Sequence, residues 1–345
     1  MCAAANDKLR TVQVGCGGRA QTHIAAMQRC GAIDLVALCD MDQKKLEDTG
    51  KKFGITKLYS SMEEMIQKEK PEFVDICTPP TIRASIVEPA IKAGAPAILI
   101  EKPIALKPSE SRRLVELGKE RLICVNTQYQ WMSHWQRIWG LLAEKALGEI
   151  RLLRASCGVN ILEQGPHDLD LALKAARVSG LPNPEWVVAQ CYGIERFGPF
   201  PVPHDTTATV GLGDARLHFN AGPSAPNVPG ESVIYLQQQV EIIGSKGRIW
   251  VSLNKGGSIW IDGKHEAIDT NWPRGDGESQ PALYVSIRDA LRKNTWKDFP
   301  TRVEVSAQIS DVMFGCYASA LGGGKIKLPS NFEDSLVEKI ENLPK

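Results

Sequence analysis

The feature that most constrains this chain is a strand that ends in glycines and opens a helix. Residues 11–14, Thr-Val-Gln-Val, form a short β-branched strand. Gly15-Cys16-Gly17-Gly18 breaks it, and a helical stretch over 19–30 comes next. In the pattern Gly15-x-Gly17-x-x-Ala20, Gly15 allows a tight turn and Gly17 lets backbone approach a pyrophosphate. A small residue at position 20 lets the helix pack on the strand. The free N–H groups at the helix start suit an anion. Alone, the pattern also describes a glycine-rich turn with no ligand; the elements after it decide between the two.

Beyond residue 30 the chain alternates strands with helices. Residues 33–39 are a near-continuous apolar run, as in a strand covered on both faces, and Asp40 ends it. A helix is predicted over 42–53, and a strand over 73–77, stopped by Thr78-Pro79-Pro80. Helix 82–93, strand 97–100, helix 109–118 and strand 122–125 complete the run. This alternation predicts an α/β, doubly wound parallel sheet with its ligand crevice at the carboxyl ends of the strands. Asp40 stands where an acid binds adenosine ribose hydroxyls, and equally where it caps the next helix. Met41, Asp42 and Gln43 offer a 2′-phosphate no cation, which favours NAD over NADP.

At 345 residues the chain has room for two domains, 1–127 and 128–345. The second shows strands at 150–156, 186–194, 206–212, 215–220, 239–243, 248–253 and 258–261, with helices at 134–146, 167–177, 281–292 and 304–320. That is an α+β layer built on one strand-rich sheet. Gly213-Asp214 and Gly256-Gly257 suit tight hairpins. The Pro- and Gly-rich stretches 197–203 and 222–230 read as loops, either surface connections or a lid or oligomer arm. Trp131, Trp135 and Trp139 recur every four residues, a packing stripe whose first member is the best placed to stack on a substrate.

A net charge of +1 argues against nucleic acid or an anionic membrane as the main partner. There is no apolar run long enough to span a bilayer. The nine cysteines include no C-x-x-C pair, and several lie in apolar strands as reduced thiols. The N-terminus shows no secretory pattern. Together these place the chain in the cytoplasm.

Val14–Ala20, Asp40, Glu101-Lys102-Pro103 and the segment Glu163-Gln164-Gly165-Pro166-His167-Asp168-Leu169-Asp170 together resemble the glucose–fructose oxidoreductase / inositol dehydrogenase (Gfo/Idh/MocA) family. The resemblance implies an N-terminal Rossmann domain and a C-terminal α+β domain with a large, mostly antiparallel open sheet. It implies substrates among sugars, inositols and related polyols, and a homo-oligomer, a dimer or tetramer. It places cofactor contacts at Gly15, Gly17, Gly18, Arg19, Ala20 and Asp40, and at Thr78, Pro79, Glu101 and Lys102. Substrate contacts fall on Lys102, Trp131, Glu163, Gln164, His167 and Asp170. The chain departs from the family pattern in having Glu163 for the commoner Asp, Pro80 and Arg83 where many relatives carry Asn and His, and Met132 for Arg.

The chemistry of the residues fits that picture. An ammonium at Lys102, at the end of a buried strand, polarises a substrate oxygen; the alternative is a snorkelling lysine before a proline turn. His167 suits removal of a hydroxyl proton as hydride leaves, with neighbouring carboxylates orienting the ring; a lone histidine is otherwise structural, and so we read His23. Asp170 is either part of that acidic setting or a first-turn acid on the helix dipole. His167, Asp168 and Asp170 lack a second His or Cys at ligand spacing, so no metal is expected there. The expected activity is NAD-dependent hydride transfer from a secondary alcohol. A redox-neutral, NAD-dependent glycosidase or lyase uses the same residues, and a non-enzymatic NAD or sugar sensor ranks last.

Overall fold

The computed structural model describes residues 7–343, which form two compact units. The first gathers the residues up to Ala105, then Glu110–Asn126 and Gly277–Ser306. The second gathers Leu106–Ser109, Thr127–Asp276 and the residues from Ala307 on. Sequence alone assigned 277–306 to the second domain, whereas these residues cluster with the first. The return crossing leaves no mark in local pattern, because only tertiary burial sets it.

In the first unit, β1 (Leu9–Val14), α1 (Gly18–Cys30), β2 (Ile33–Cys39), α2 (Gln43–Phe53), β3 (Leu58–Tyr59) and α3 (Met62–Glu69) are succeeded by β4 (Phe73–Ile76), α4 (Arg83–Ala93), β5 (Ile98–Glu101), α5 (Pro108–Gly118) and β6 (Ile123–Asn126). The strands pair in parallel in the order β3-β2-β1-β4-β5-β6. This is the doubly wound order whose direction reverses between β1 and β4, and the ligand crevice forms there. All residues of β4, β5 and β6 are buried, which is why their sequences are apolar runs rather than alternations. α2 starts on Asp42, whose side chain accepts from Lys45 N, and stops at Gly54 in the left-handed region. β3 and α3 had no strand or helix signal assigned from sequence; β3 is two half-buried residues long.

The second unit holds α6 (Ser133–Ala143), β7 (Ile150–Cys157), α7 (Gly165–Val178), β8 (Trp186–Phe197), β9 (Phe200–Leu212), β10 (Ala215–Ala221), β11 (Gln238–Gly244), β12 (Gly247–Ser252), β13 (Gly257–Ile261) and β14 (Lys264–Ile268). Two long helices come after them, α8 (Trp272–Arg292), which lies mostly in the first unit, and α9 (Val303–Gly322), which starts there and continues in the second, and then β15 (Ile326–Lys327) and α10 (Ser335–Lys339). Nine strands form one open sheet, β14-β13-β12-β11-β7-β10-β9-β8-β15. Every neighbouring pair is antiparallel except β7 with β10.

The stretch 197–203, expected as a loop, is instead a tight β8–β9 hairpin with Phe197 opposite Phe200. Pro201 and Pro203 are tolerated because β10 pairs with β9 only from Thr206 onward, so this part of β9 has a neighbour on one side alone. Residues 222–230 are irregular, as expected. Trp131 lies in a 3-10 turn before α6, while Trp135 and Trp139 stack at 4.8 Å in the core. No helix among the described residues is long and apolar enough to cross a membrane.

α7 carries the candidate residues of the second unit. Eleven of its fourteen residues are buried, including His167, Asp168 and Asp170. A helix buried on nearly every face must satisfy its ionisable groups internally, so these three side chains carry more than packing.

Candidate active site

In the first unit, β1 runs into Gly15, whose φ is +97° and whose added Cβ would lie 2.3 Å from the Cys77 carbonyl oxygen. Only glycine allows the turn after β1 to touch the turn after β4 this closely. Just beyond, nothing lies within 4 Å of a Cβ placed at Gly17 or Gly18. α1 begins at Gly18 with no side-chain cap and no acid in its first turn. Its first N–H groups therefore face open space with the positive end of the helix dipole, a fit for a pyrophosphate. Ala20 is buried, where the helix meets the sheet.

A cleft of about 560 Å³ opens beside this turn, lined by Gly15, Gly17, Asp40, Met41, Lys45, Ser61, Thr78, Pro79 and Ile82 among others. Asp40 Oδ2 accepts Cys16 N at 2.7 Å and Oδ1 accepts Asp42 N at 2.8 Å. Asp40 therefore ties the glycine turn to the end of β2, and the cap of α2 is Asp42, not Asp40. Lys45 is a cation that sequence reading missed by stopping at residue 43. Counting three residues on from the cap finds it, paired with Asp42 at 2.9 Å.

The end of β5 carries Glu101 and Lys102. Glu101 Oε1 takes three donors: Arg19 Nε at 2.9 Å, His23 Nε2 at 2.9 Å and Asn126 Nδ2 at 2.7 Å. Its Oε2 accepts the Lys102 backbone N–H at 3.0 Å. The structure thus places Arg19 and Glu101 on each other. Burial alone would raise the Glu101 carboxyl, but the Arg19 guanidinium and His23 overcome this and hold it well below the usual range. Arg83 is buried and reaches back to two loops. It donates to the Pro103 carbonyl and, at 3.1 Å, to the Thr78 carbonyl. It therefore latches the turn after β4 to the turn after β5.

Among the described residues, one group, His23, Cys77 and Glu101, has donor atoms close enough to share a metal ion. Both His23 nitrogens already face carboxylates, and burial keeps the Cys77 thiol protonated by pushing it far up. The group is a hydrogen-bonded charge network rather than a ligand set.

In the second unit, the 3-10 turn Gln128–Trp131 faces α7. The His167 ring lies flat on Tyr129, with centroids 3.9 Å apart and planes at 10°. An aromatic face thus packs on that ring, a contact that sequence reasoning did not name. Glu163 bonds the Tyr235 hydroxyl, which its charge pushes up. Gln164 stands at the N-cap of α7, its Oε1 buried without a partner among the described residues. Asp168, not Asp170, is the first-turn acid, and burial pushes its carboxyl well up.

Asp170 accepts Gln130 Nε2 at 2.8 Å, and Gln130 Oε1 accepts Lys174 Nζ at 2.6 Å. The Lys174 ammonium lies 4.8 Å from the Trp139 ring centroid and 5.8 Å from that of Trp131. Burial pushes Lys174 down to about 8 and Asp170 up to about 6. Lys174 also escaped the sequence reading, although steps of three and four along one helix face connect residues 167, 170 and 174.

A folded value of about 6 against an ordinary 3.8 means that Asp170 is charged at a cost in the native chain. That cost is absent below the ordinary value and fully present above the folded one. Asp170→Asn is therefore expected to stabilise the protein at pH 8 by on the order of 2–3 kcal/mol. The gain should vanish near pH 4 and come with loss of activity. Thermal melts of both proteins across that range check it.

A family model, oxidoreductase family with an NAD-binding Rossmann fold, matches residues 9–129. Over these residues the chain is similar to the Gfo/Idh/MocA oxidoreductase family. The match covers β1 through β6 and therefore the glycine turn, Asp40 and the Glu101-Lys102-Pro103 strand end. D-apiose dehydrogenase of Paraburkholderia graminis is 33% identical over 137 residues, 39% of this chain and 36% of that protein. D-glucoside 3-dehydrogenase of Escherichia coli is 23% identical over 164 residues, 46% of each protein. The aligned part thus spans about two-fifths of the curated relatives' length.

Solved structures extend the likeness in fold to the whole chain. An oxidoreductase from Agrobacterium radiobacter in complex with NAD+, L-tartaric acid and magnesium superposes with a TM-score of 0.79 at 20% identity, covering 93% of this chain and 98% of that one. Levoglucosan dehydrogenase in complex with NADH and levoglucosan gives 0.78 at 16% identity, covering 94% and 100%. At such identities the fold is what is shared.

Proposed function

We propose that the protein is an NAD-dependent dehydrogenase that moves a hydride between a secondary alcohol of a sugar, inositol or related polyol and the nicotinamide. The observation that carries this reading is that the family match covers the strand end holding Lys102 together with an uncapped, glycine-opened helix that fits a pyrophosphate. The relatives' names support the substrate class. Gly15, Gly17 and Gly18 hold the pyrophosphate, Asp40 the ribose, and Thr78 and Pro79 the cleft wall. When bound, the cofactor accepts the hydride and its electron pair from the carbinol carbon. His167 takes the hydroxyl proton as the C–O bond becomes C=O. Lys102 stabilises the developing negative charge on that oxygen. Asp170, Gln164, Glu163 and Trp131 fix the polyol in the second unit, the substrate domain.

NAD rather than NADP follows from Asp40, Asp42 and Glu63 around the ribose end, where Lys45 is neutralised by Asp42. NADP is expected to bind at least tenfold more weakly, on the order of 1.4 kcal/mol. Calorimetric titration with both cofactors checks this; equal affinity would reassign Lys45 to a 2′-phosphate.

The free thiols support a reducing, cytoplasmic location. A homo-oligomer, dimer or tetramer, is part of the same proposal and rests on the family resemblance. The activity is tested by incubating the protein with sugars and polyols and both cofactors, reading absorbance and products together. Accumulating NADH supports the dehydrogenase. Bond cleavage without NADH assigns the redox-neutral lyase or glycosidase, and cofactor binding with neither product assigns a sensor.

A further inference from the structure

The first unit buries more charge than a dinucleotide fold needs. His23, on α1, is fully buried, and so is Asp75 on β4. The imidazole Nδ1 lies 3.1 Å from Asp75 Oδ2, and Nε2 lies 2.9 Å from Glu101 Oε1. The Tyr284 hydroxyl, from α8, donates to Asp75 Oδ2 at 2.5 Å, and its ring meets His23 edge-on at 6.4 Å. At the other end Arg19 and Asn126 donate to Glu101, and Glu101 receives the Lys102 N–H. Gln280 accepts from Arg19 at 3.4 Å, and Cys77 sits beside the acids as a protonated thiol. These are the titratable and polar groups around the ring from α1, β4, β5, β6 and α8.

We propose that His23, bridged as an imidazolium between Asp75 and Glu101, is a positioning residue for Lys102. The inference rests on Lys102 acting at the reaction centre. The bridge fixes the Glu101 carboxylate, and the carboxylate fixes the backbone from which Lys102 leaves the strand. Only a doubly protonated imidazole donates to both acids at once. A neutral ring donates to one acid alone, and the other keeps only its remaining donors, the Tyr284 hydroxyl on Asp75 or Arg19, Asn126 and the Lys102 N–H on Glu101. Burial opposes the charge on His23, but Asp75 and then Glu101 outweigh it and raise the ring from 6.5 to about 9. The bridge is therefore complete below the ordinary histidine range and lost as pH rises through about 9. A dehydrogenase built this way keeps its lysine aligned across neutral pH and loses alignment on the alkaline side.

His23→Gln removes a buried cation from between two buried carboxylates and endangers the fold, so the deciding variant is Asp75→Asn. It keeps an acceptor for Tyr284 and for the imidazole but removes one charge. NMR of the imidazole nitrogens in the wild-type protein is expected to show both protonated at neutral pH. In Asp75→Asn the ring should titrate about one unit lower or more. The alkaline edge of kcat should move down with it, while the NAD dissociation constant stays within about twofold. A merely structural bridge lowers the melting temperature without moving that edge. A neutral wild-type ring at neutral pH, or an alkaline edge that stays put in Asp75→Asn, overturns the proposal. Absence of turnover on every polyol would instead defeat the reading of function, leaving the ring measurement to decide whether the bridge is charged.

Discussion

Lys102→Ala is expected to lower kcat by roughly 10²–10⁴-fold, the usual worth of a positioned proton-transfer or charge-stabilising group. NAD affinity should stay within about threefold. The split follows from where Lys102 sits. It leaves β5 after a glutamate held by four N–H donors, so truncating it removes the reacting ammonium while the strand end keeps its anchor. The glycine turn, Asp40 and the cleft between β2 and β4 are untouched by the change. Pre-steady-state kinetics with a turned-over polyol, paired with cofactor titration, separates the two effects. Wild-type turnover in the variant would remove Lys102 from the chemistry. Lost cofactor binding would mean that the lysine holds NAD rather than the substrate oxygen.

Gly15→Ala is expected to have the largest effect on folding. A side chain at φ +97° is strained by about 1–2 kcal/mol whatever its surroundings. Here the new Cβ also meets the Cys77 carbonyl oxygen at 2.3 Å, so β1 and β4 must part at their paired ends. Strain and overpacking together come to about 3–5 kcal/mol. Against a total stability of about 5–15 kcal/mol, much of the protein should fail to fold or melt at markedly lower temperature. Gly18→Ala is the control. Its Cβ meets nothing within 4 Å and it lies in the first turn of α1, so its melting temperature should hold. Equal melting temperatures for the two variants would contradict the close approach at Gly15.

The difference between these two glycines shows what the sequence can and cannot convey. The spacing of Gly15, Gly17 and Ala20 after an apolar strand announces the fold, because strands buried on both faces leave unbroken apolar runs and glycines stop the helices between them. Length limits the signal: β3, two half-buried residues, has no periodicity to read. The hairpin at 197–203 was hidden by prolines, whose lack of an N–H matters only where a second neighbour is present. The return of 277–306 to the first unit depends on contacts such as Tyr284 with Asp75, 209 positions apart.

The site divides in the same way. Lys102, His167 and Asp170 stand out by residue type and place, and the structure buries His167 and Asp170 on one helix. Their partners do not stand out. Tyr129, Gln130 and Lys174 are ordinary in sequence and become informative only as partners of buried groups. His23 is the clearest case. One histidine on an amphipathic helix reads as packing, and the two carboxylates that charge it come from strands 52 and 78 residues away.

Hydride transfer itself is tested most directly with polyols carrying deuterium on the carbinol carbon. The protein is incubated with NAD and each labelled compound, and the nicotinamide is examined by mass spectrometry. For at least one sugar or inositol, deuterium should appear on the nicotinamide ring, and the transfer should stop in Lys102→Ala. A protein that binds NAD, binds a polyol and never passes the label to the ring would contradict this.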